Sequence, residues 1–180
     1  RGDGKEAERI VHSEEHRAVA LEAARQSLVL LKNEGGLLPL SKSLRSVAVI
    51  GPNADGRDQL ICRYGPANAP VKTVYEGIKE LLPGAEVTYS KGCDIIDPHF
   101  PESEILDFPK TERETRMIEE AVEIARGADA VVMVLGGNEL TVREERSRTS
   151  LDLPGRQEEL LQAVYATGKP VVLVLLDGRA

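Results

Sequence analysis

From Gly136 to Thr149 the chain reads Gly-Gly-Asn-Glu-Leu-Thr-Val-Arg-Glu-Glu-Arg-Ser-Arg-Thr. This polar stretch holds the carboxylates of Glu139, Glu144 and Glu145 and the guanidiniums of Arg143, Arg146 and Arg148. Such groups bind hydroxyl-rich ligands through paired hydrogen bonds, which makes Arg143, Glu139 and Arg148 candidate sugar ligands. A carboxylic acid whose pKa is raised by its surroundings can also protonate the leaving oxygen of a glycoside. The same residues also read as a solvated charge run, in which surface ion pairs contribute little. Composition alone favours that blander reading.

Other chemistries fit less well. Gly136-Gly137 invites a phosphate-binding loop, but neither GxGxxG nor GxxxxGK[ST] is present and the next helix begins too far downstream. Ser27, Ser147 and Ser150 lack the GxSxG setting of a nucleophilic serine and read as caps or surface hydroxyls. Cys93 follows a strand, yet no histidine lies near it in sequence to activate it, so it reads as a buried thiol. Cys62 is the other cysteine, and both read as free. His12, His16 and His99 do not cluster with the cysteines at metal-ligand spacing, and the acidic loops match no calcium-binding pattern. Neither metal nor cofactor is expected.

The elements that would position the polar stretch follow from periodicity. Asp129 to Leu135 is an aliphatic run that reads as a strand buried on both faces. Ser46 to Ile50, Ala85 to Tyr89 and Val171 to Leu176 read as three more strands. Between them lie helices. Thr73 with Glu76 and Thr111 with Glu114 have capping-box spacing. Pro154 suits a first helical turn, with Leu161, Val164 and Tyr165 as the apolar face. Earlier, Ser13 caps a helix whose stripe of Leu21, Ala24, Leu28 and Leu31 runs on to Gly35-Gly36. Arg1 to Val11 reads as a lead-in, and Ile95 to Lys110 as a long irregular loop. Strands alternating with helices predict an α/β fold, a mainly parallel sheet with helices on both faces. Ligands of such sheets bind beyond the carboxyl ends of the strands. There Asp55, Asp58 and Asp94 would join Glu139, Glu144 and Glu145 on one rim.

Composition bounds the function. A chain of 180 residues, 41% hydrophobic and 29% charged, can form one globular core. Its net charge of −7 argues against nucleic acid as a partner. No apolar run reaches the roughly 18–20 residues of a membrane span, and no secretory leader opens the chain. The absence of an initiator methionine and an end just after a strand are read as signs of a piece of something longer.

Several stretches together resemble glycoside hydrolase family 3, the β-glucosidase and β-xylosidase family. They are Ala23-Ala24-Arg25-Gln26-Ser27-Leu28-Val29-Leu30-Leu31-Lys32-Asn33-Glu34 with Leu37-Leu38-Pro39-Leu40, then Val47 to Ala54, then Lys91-Gly92-Cys93. Ser147-Arg148-Thr149-Ser150-Leu151-Asp152-Leu153-Pro154-Gly155 with Gln157, and Lys169 to Val174, complete the set. Their order along residues 13–180 is more specific than any one of them.

The resemblance implies an α/β sandwich domain that follows a (β/α)8 barrel. It makes residues 1–44 a linker and entry helix and residues 45–180 the sandwich domain, incomplete at its C-terminal end. It implies a retaining, exo-acting β-glycosidase whose nucleophile is an aspartate on the barrel and whose acid/base is a glutamate on a sandwich-domain loop. In relatives whose loop ends in Ser-Arg-Thr that glutamate lies four residues before the arginine, which gives Glu144, with Glu145 the near alternative and Glu139 the next. Arg143 departs from the glycine common at its position. The substrate implied is a terminal β-glucoside or β-xyloside, alone or in an oligosaccharide, with β-glucosides favoured. A periplasmic or secreted setting is favoured. The barrel's Ser-Asp-Trp motif is absent, and the chain has no tryptophan, so on its own it is expected to be inactive. Two other readings stay open: a non-catalytic module that binds carbohydrate or a partner, and a phosphate-binding α/β domain.

Overall fold

Val47 to Ile50 and Ala130 to Gly136 carry side chains that water solvates poorly, and in the computed structural model both stretches are buried strands. The structure describes residues 4–57, 65 and 70–178. Asp58, Cys62 and Arg179 lie outside the described residues. The chain divides into two compact units, residues 1–39 and 40–180.

In the larger unit the elements run β1 (Ser46–Ile50), α3 (Val74–Leu81), β2 (Glu86–Ser90), α4 (Glu112–Gly127), β3 (Ala130–Gly136), α5 (Gln157–Tyr165) and β4 (Val171–Leu176). The strands form one sheet in the order β2-β1-β3-β4, every pair parallel. Alternate residues of the central strands face opposite ways, as the strand period of two requires. Ala48, Ile50, Val131, Met133 and Leu135 pack with Ile118, Ala121, Leu160 and Val164 beneath α4 and α5. Val47, Val49, Val132 and Val134 pack with Val74, Tyr75 and Ile78 of α3 on the other face. The expected α/β fold, with a parallel sheet and helices on both faces, is what forms.

The helix starts at Thr73 and Thr111 are capping boxes as expected, each threonine taking the amide of a glutamate that bonds back to the threonine's own amide. Three local expectations are corrected. Pro154 precedes α5, whose first residue is Gln157, because Gly155 turns the chain at φ 60°. The buried face of α5 is consequently Gln157, Leu160 and Val164, and Tyr165 is 72% exposed. Burial on both faces holds for β1 and β3 but not for β4, where Leu173 and Leu175 are 40% and 49% exposed.

The smaller unit holds α1 (Gly4–Ile10), within the stretch read as a lead-in, and α2 (Glu14–Gln26), capped by the Ser13 hydroxyl. The helical stripe was expected to continue through Leu28 and Leu31, but α2 stops at Gln26. Ser27 donates its hydroxyl to the Ala24 carbonyl at 2.8 Å, an alternative bond that closes the last turn. Leu28 to Leu31 are non-helical and exposed, and an apolar stripe that is not buried gives a helix little support.

Chain direction sets the candidate site. From β1 the chain crosses to β2 on one side, and from β3 it crosses to β4 on the other. The loops after β1 and β3 therefore part, which opens a crevice at the carboxyl edge. Gly51 and Gly136 end these two strands at φ 133° and 121°. A Cβ would meet the Val134 carbonyl oxygen at 2.2 Å in the first and the Leu176 carbonyl oxygen at 2.0 Å in the second. Only glycine lets the backbones come this close.

Candidate active site

The polar stretch leaves β3 from a fixed base. Gln157, fully buried at the start of α5, accepts the Gly136 N–H through Oε1 at 2.8 Å. Its Nε2 donates to the Gly136 carbonyl at 3.0 Å and to the Ile95 carbonyl at 3.4 Å. One amide side chain thus satisfies the last backbone groups of β3, which would be costly to bury unpaired. Asn53, on the loop after β1, donates its Nδ2 to the Gly137 carbonyl at 3.1 Å. The chain then makes one tight turn. The amides of Thr141 and Val142 bond to the Asn138 carbonyl at 2.9 and 2.8 Å, and the buried Thr141 hydroxyl accepts the Asn138 amide at 3.2 Å. The amides of Gly136 and Asn138 are thereby used inside the protein, unlike those of a loop that cradles phosphate.

Beyond this base the loop doubles back. The Arg146 amide bonds to the Arg143 carbonyl at 3.0 Å, closing a turn with Glu144 and Glu145 at its two central positions. Both glutamates are exposed. Glu145 has φ 68°, the sign a type II turn demands at its third position. Arg143 is half-buried, and its Nε lacks a hydrogen-bond partner.

The far stem is pinned from another part of the chain. Arg148 pairs through Nε with Glu104, which lies on a short 3-10 turn (Glu102–Glu104) between β2 and α4. The two side chains are 6% and 7% exposed. The second oxygen of Glu104 accepts the Thr149 amide at 2.9 Å and the Thr149 hydroxyl at 3.0 Å. Burial would push the Glu104 carboxyl up, but the Thr149 amide and Arg148 outweigh it and hold the carboxyl below its ordinary range. Arg156 ties the same region together, donating to the Phe108 carbonyl at 2.6 Å and to Glu159 at 2.9 Å.

Of the carboxylates expected on one rim, the five among the described residues separate into groups. Asp55 and Asp94 line a cleft of about 440 Å³ over the carboxyl ends of the first three strands, with Tyr89, Lys91, Asn138 and Leu140. Asp55 accepts the Thr73 hydroxyl at 2.8 Å, and Asp94 is held by Lys91 and Arg113. Glu139, Glu144 and Glu145 do not line this cleft. Cys93 is buried in the core, and burial, aided by Asp94, pushes its thiol up to about 12. That is a structural thiol rather than a nucleophile. Ser150 bonds locally to Asp152, and His99 stacks on Phe108 with ring centroids 4.1 Å apart. Among the described residues no three His, Cys, Asp or Glu side chains are grouped to hold a metal ion.

Glu104, Asn53 and Thr141 are the residues the sequence did not disclose. Glu104 sits in an aperiodic, proline-rich stretch where no pattern marks it. Asn53 had the stronger signal, since it directly follows the Gly51-Pro52 turn that ends a buried strand.

The comparisons agree with this architecture. The family model described as the glycosyl hydrolase family 3 C-terminal domain matches residues 28–180. A β-xylosidase of Formosa agariphila is 39% identical over 175 residues, which are 93% of this chain and 22% of that protein. A periplasmic β-glucosidase of Salmonella typhimurium is 41% identical over 177 residues, 91% of this chain and 22% of that protein. The solved structure of a β-glucosidase from Erythrobacter marinus superposes with a TM-score of 0.79 at 36% identity, covering 96% of this chain and 25% of its own. The chain therefore spans about a fifth to a quarter of the length of these relatives. A parallel sheet whose β3 loop is rich in carboxylates, matched by the family model from Leu28 onward, means that this chain belongs to glycoside hydrolase family 3, as its C-terminal domain.

Proposed function

We propose that this chain supplies the acid/base half of the active site of a retaining, exo-acting β-glycosidase that removes terminal β-D-glucosyl or β-D-xylosyl residues. Glu144 is the acid/base residue, and Glu145 is the near alternative. The nucleophile is an aspartate on a preceding (β/α)8 barrel. The relatives named β-glucosidase and β-xylosidase support this substrate class. The observation that carries the assignment is the position of Glu144. It is exposed, at the tip of a turn whose two stems are both held by buried side chains. A general acid must reach a substrate held elsewhere and still keep its geometry.

In the first step Glu144 gives its proton to the glycosidic oxygen while the barrel aspartate attacks the anomeric carbon, and the aglycone leaves. In the second step the Glu144 carboxylate takes a proton from water as the water displaces the aspartate, and the free sugar departs. Arg143, half-buried on the loop, and Glu139, at the loop's base, are proposed to meet sugar hydroxyls. Arg148 is almost fully enclosed with Glu104, so its part is to hold the loop from behind.

The test is Glu144→Gln in the full-length protein that contains this sequence, assayed with and without azide. Turnover of an unactivated β-glucoside should fall by about 10²–10⁴-fold. With an activated aryl β-glucoside, azide should restore turnover and release a glycosyl azide, since azide needs no general base. Wild-type hydrolysis by the variant would remove Glu144 from the mechanism and bring Glu145, or a role in binding only, to the front.

A further inference from the structure

The segment from Lys91 to Thr111 lacks regular structure over most of its length, yet it is internally braced. Asp97, buried, accepts the His99 amide at 2.8 Å and the Ser103 hydroxyl at 2.6 Å. Arg156 holds the Phe108 carbonyl, and Gly155 passes so close to Ile95 that a Cβ there would lie 3.0 Å from its carbonyl oxygen. The brace delivers one carboxylate inward. Glu104 takes Arg148, the Thr149 amide and the Thr149 hydroxyl on its two oxygens, and both charged side chains are nearly closed to solvent.

This contact governs where the turn stands. Arg146, whose amide closes the turn, is two residues from the pinned Arg148. Consecutive Cα atoms are a fixed ~3.8 Å apart, so a shift of the Arg148 stem carries the turn with it. The other stem is fixed at Gly136 by Gln157. The turn is thus tethered from both sides. A misplacement of about 1 Å in a reacting group can cost roughly 10²-fold in rate.

We propose that Glu104 is a positioning residue for Glu144, holding the far stem of the loop so that the turn presents its carboxyl to the leaving oxygen. The inference rests on the reading of Glu144 as the acid/base residue. Glu104 takes no proton from the substrate and does not touch it. Replacing its carboxylate with a carboxamide keeps the shape but leaves the buried Arg148 cation without a counter-charge and turns one acceptor into a donor.

The experiment compares Glu104→Gln with Glu144→Gln in the full-length protein, on two aryl β-glucosides whose leaving groups differ in acidity. An acidic phenol leaves without a proton, whereas a poor leaving group needs one. For Glu104→Gln, kcat/KM on the poor leaving group should fall by about 10- to 100-fold, with a much smaller loss on the good one. KM should stay within a few-fold, and azide should raise kcat on the good substrate. A fold-breaking effect lowers both substrates alike and gives no azide response. Should Glu104→Gln not accumulate as folded protein, Arg148→Lys, which keeps the charge and loses the planar fork, is read by the same criteria. Equal losses on both substrates, or none, while Glu144→Gln shows the leaving-group signature, would overturn the role of Glu104 and spare that of Glu144. Absence of the signature in Glu144→Gln would overturn the acid/base reading, and the positioning role with it.

Discussion

Glu145 holds a backbone conformation that suits glycine, with φ 68° at the tip of the loop. A left-handed residue other than glycine costs roughly 1–2 kcal/mol, and glycine returns part of this through the unfolded chain's larger freedom. Glu145→Gly should therefore leave the melting temperature unchanged or raise it by about 2–4 °C, the shift expected for 1 kcal/mol at this size. Glu145→Val should lower it, because a branched side chain resists positive φ. If Glu144 is the acid/base residue, Glu145→Gly also keeps hydrolysis within a few-fold of wild type. A loss matching that of Glu144→Gln would instead mark Glu145 as the proton donor. The same residue shows what sequence could and could not convey. The family resemblance pointed to Glu144, with Glu145 beside it, but nothing in Arg-Glu-Glu-Arg announced a turn with its third position inverted. That geometry follows from the Arg143–Arg146 backbone bond, which only the folded loop contains.

At the level of elements, the loop depends on the joint between β3 and α5. Gln157→Leu keeps the volume of the side chain but leaves the buried Gly136 N–H and carbonyl without partners. Unpaired buried groups cost about 1–3 kcal/mol each, so the variant should lose about 2–6 kcal/mol in urea unfolding. A loss below about 1 kcal/mol would mean that water or a neighbouring group replaces the amide. Strands and capping boxes were legible because their signals are local: an aliphatic run, or threonine three residues before glutamate. The end of α2 was not, since Leu28 and Leu31 have helical spacing, while the Ser27 hydroxyl closes the last turn and the leucines beyond it are exposed. Glu104 was illegible for the opposite reason. Its partners Arg148 and Thr149 are distant in sequence, and the contact exists only because the segment after β2 is folded back on the loop after β3.

Across the whole molecule, buried carboxylates tie the fold to pH. Glu104 and Glu114 are pushed up by burial but pulled further down by their hydrogen bonds and arginine partners, so their folded values lie below the ordinary 4.5. A group whose folded pKa is depressed contributes stability that is full above its unfolded value and is lost as pH falls through the folded one. Acid unfolding should accordingly set in below about pH 4.5, and Glu104→Gln should flatten that dependence in thermal melts from pH 6 to pH 3. If the proposed function holds, the carboxylates among the described residues do not supply the second group that hydrolysis needs. Retention needs a second carboxylate about 5–5.5 Å from the acid/base, placed to attack the anomeric carbon. Glu145 is the neighbour of Glu144 on one turn and cannot face it across a sugar ring. Asp55 is held by Thr73, and Asp94 by Lys91 and Arg113. On the proposed reading, the purified 180-residue chain should release no phenol from an activated aryl β-glucoside, with or without azide, while the full-length protein that contains it should. Turnover by the isolated chain that Glu144→Gln abolishes would show that it holds both carboxylates, and the division of the active site between two domains would have to be abandoned.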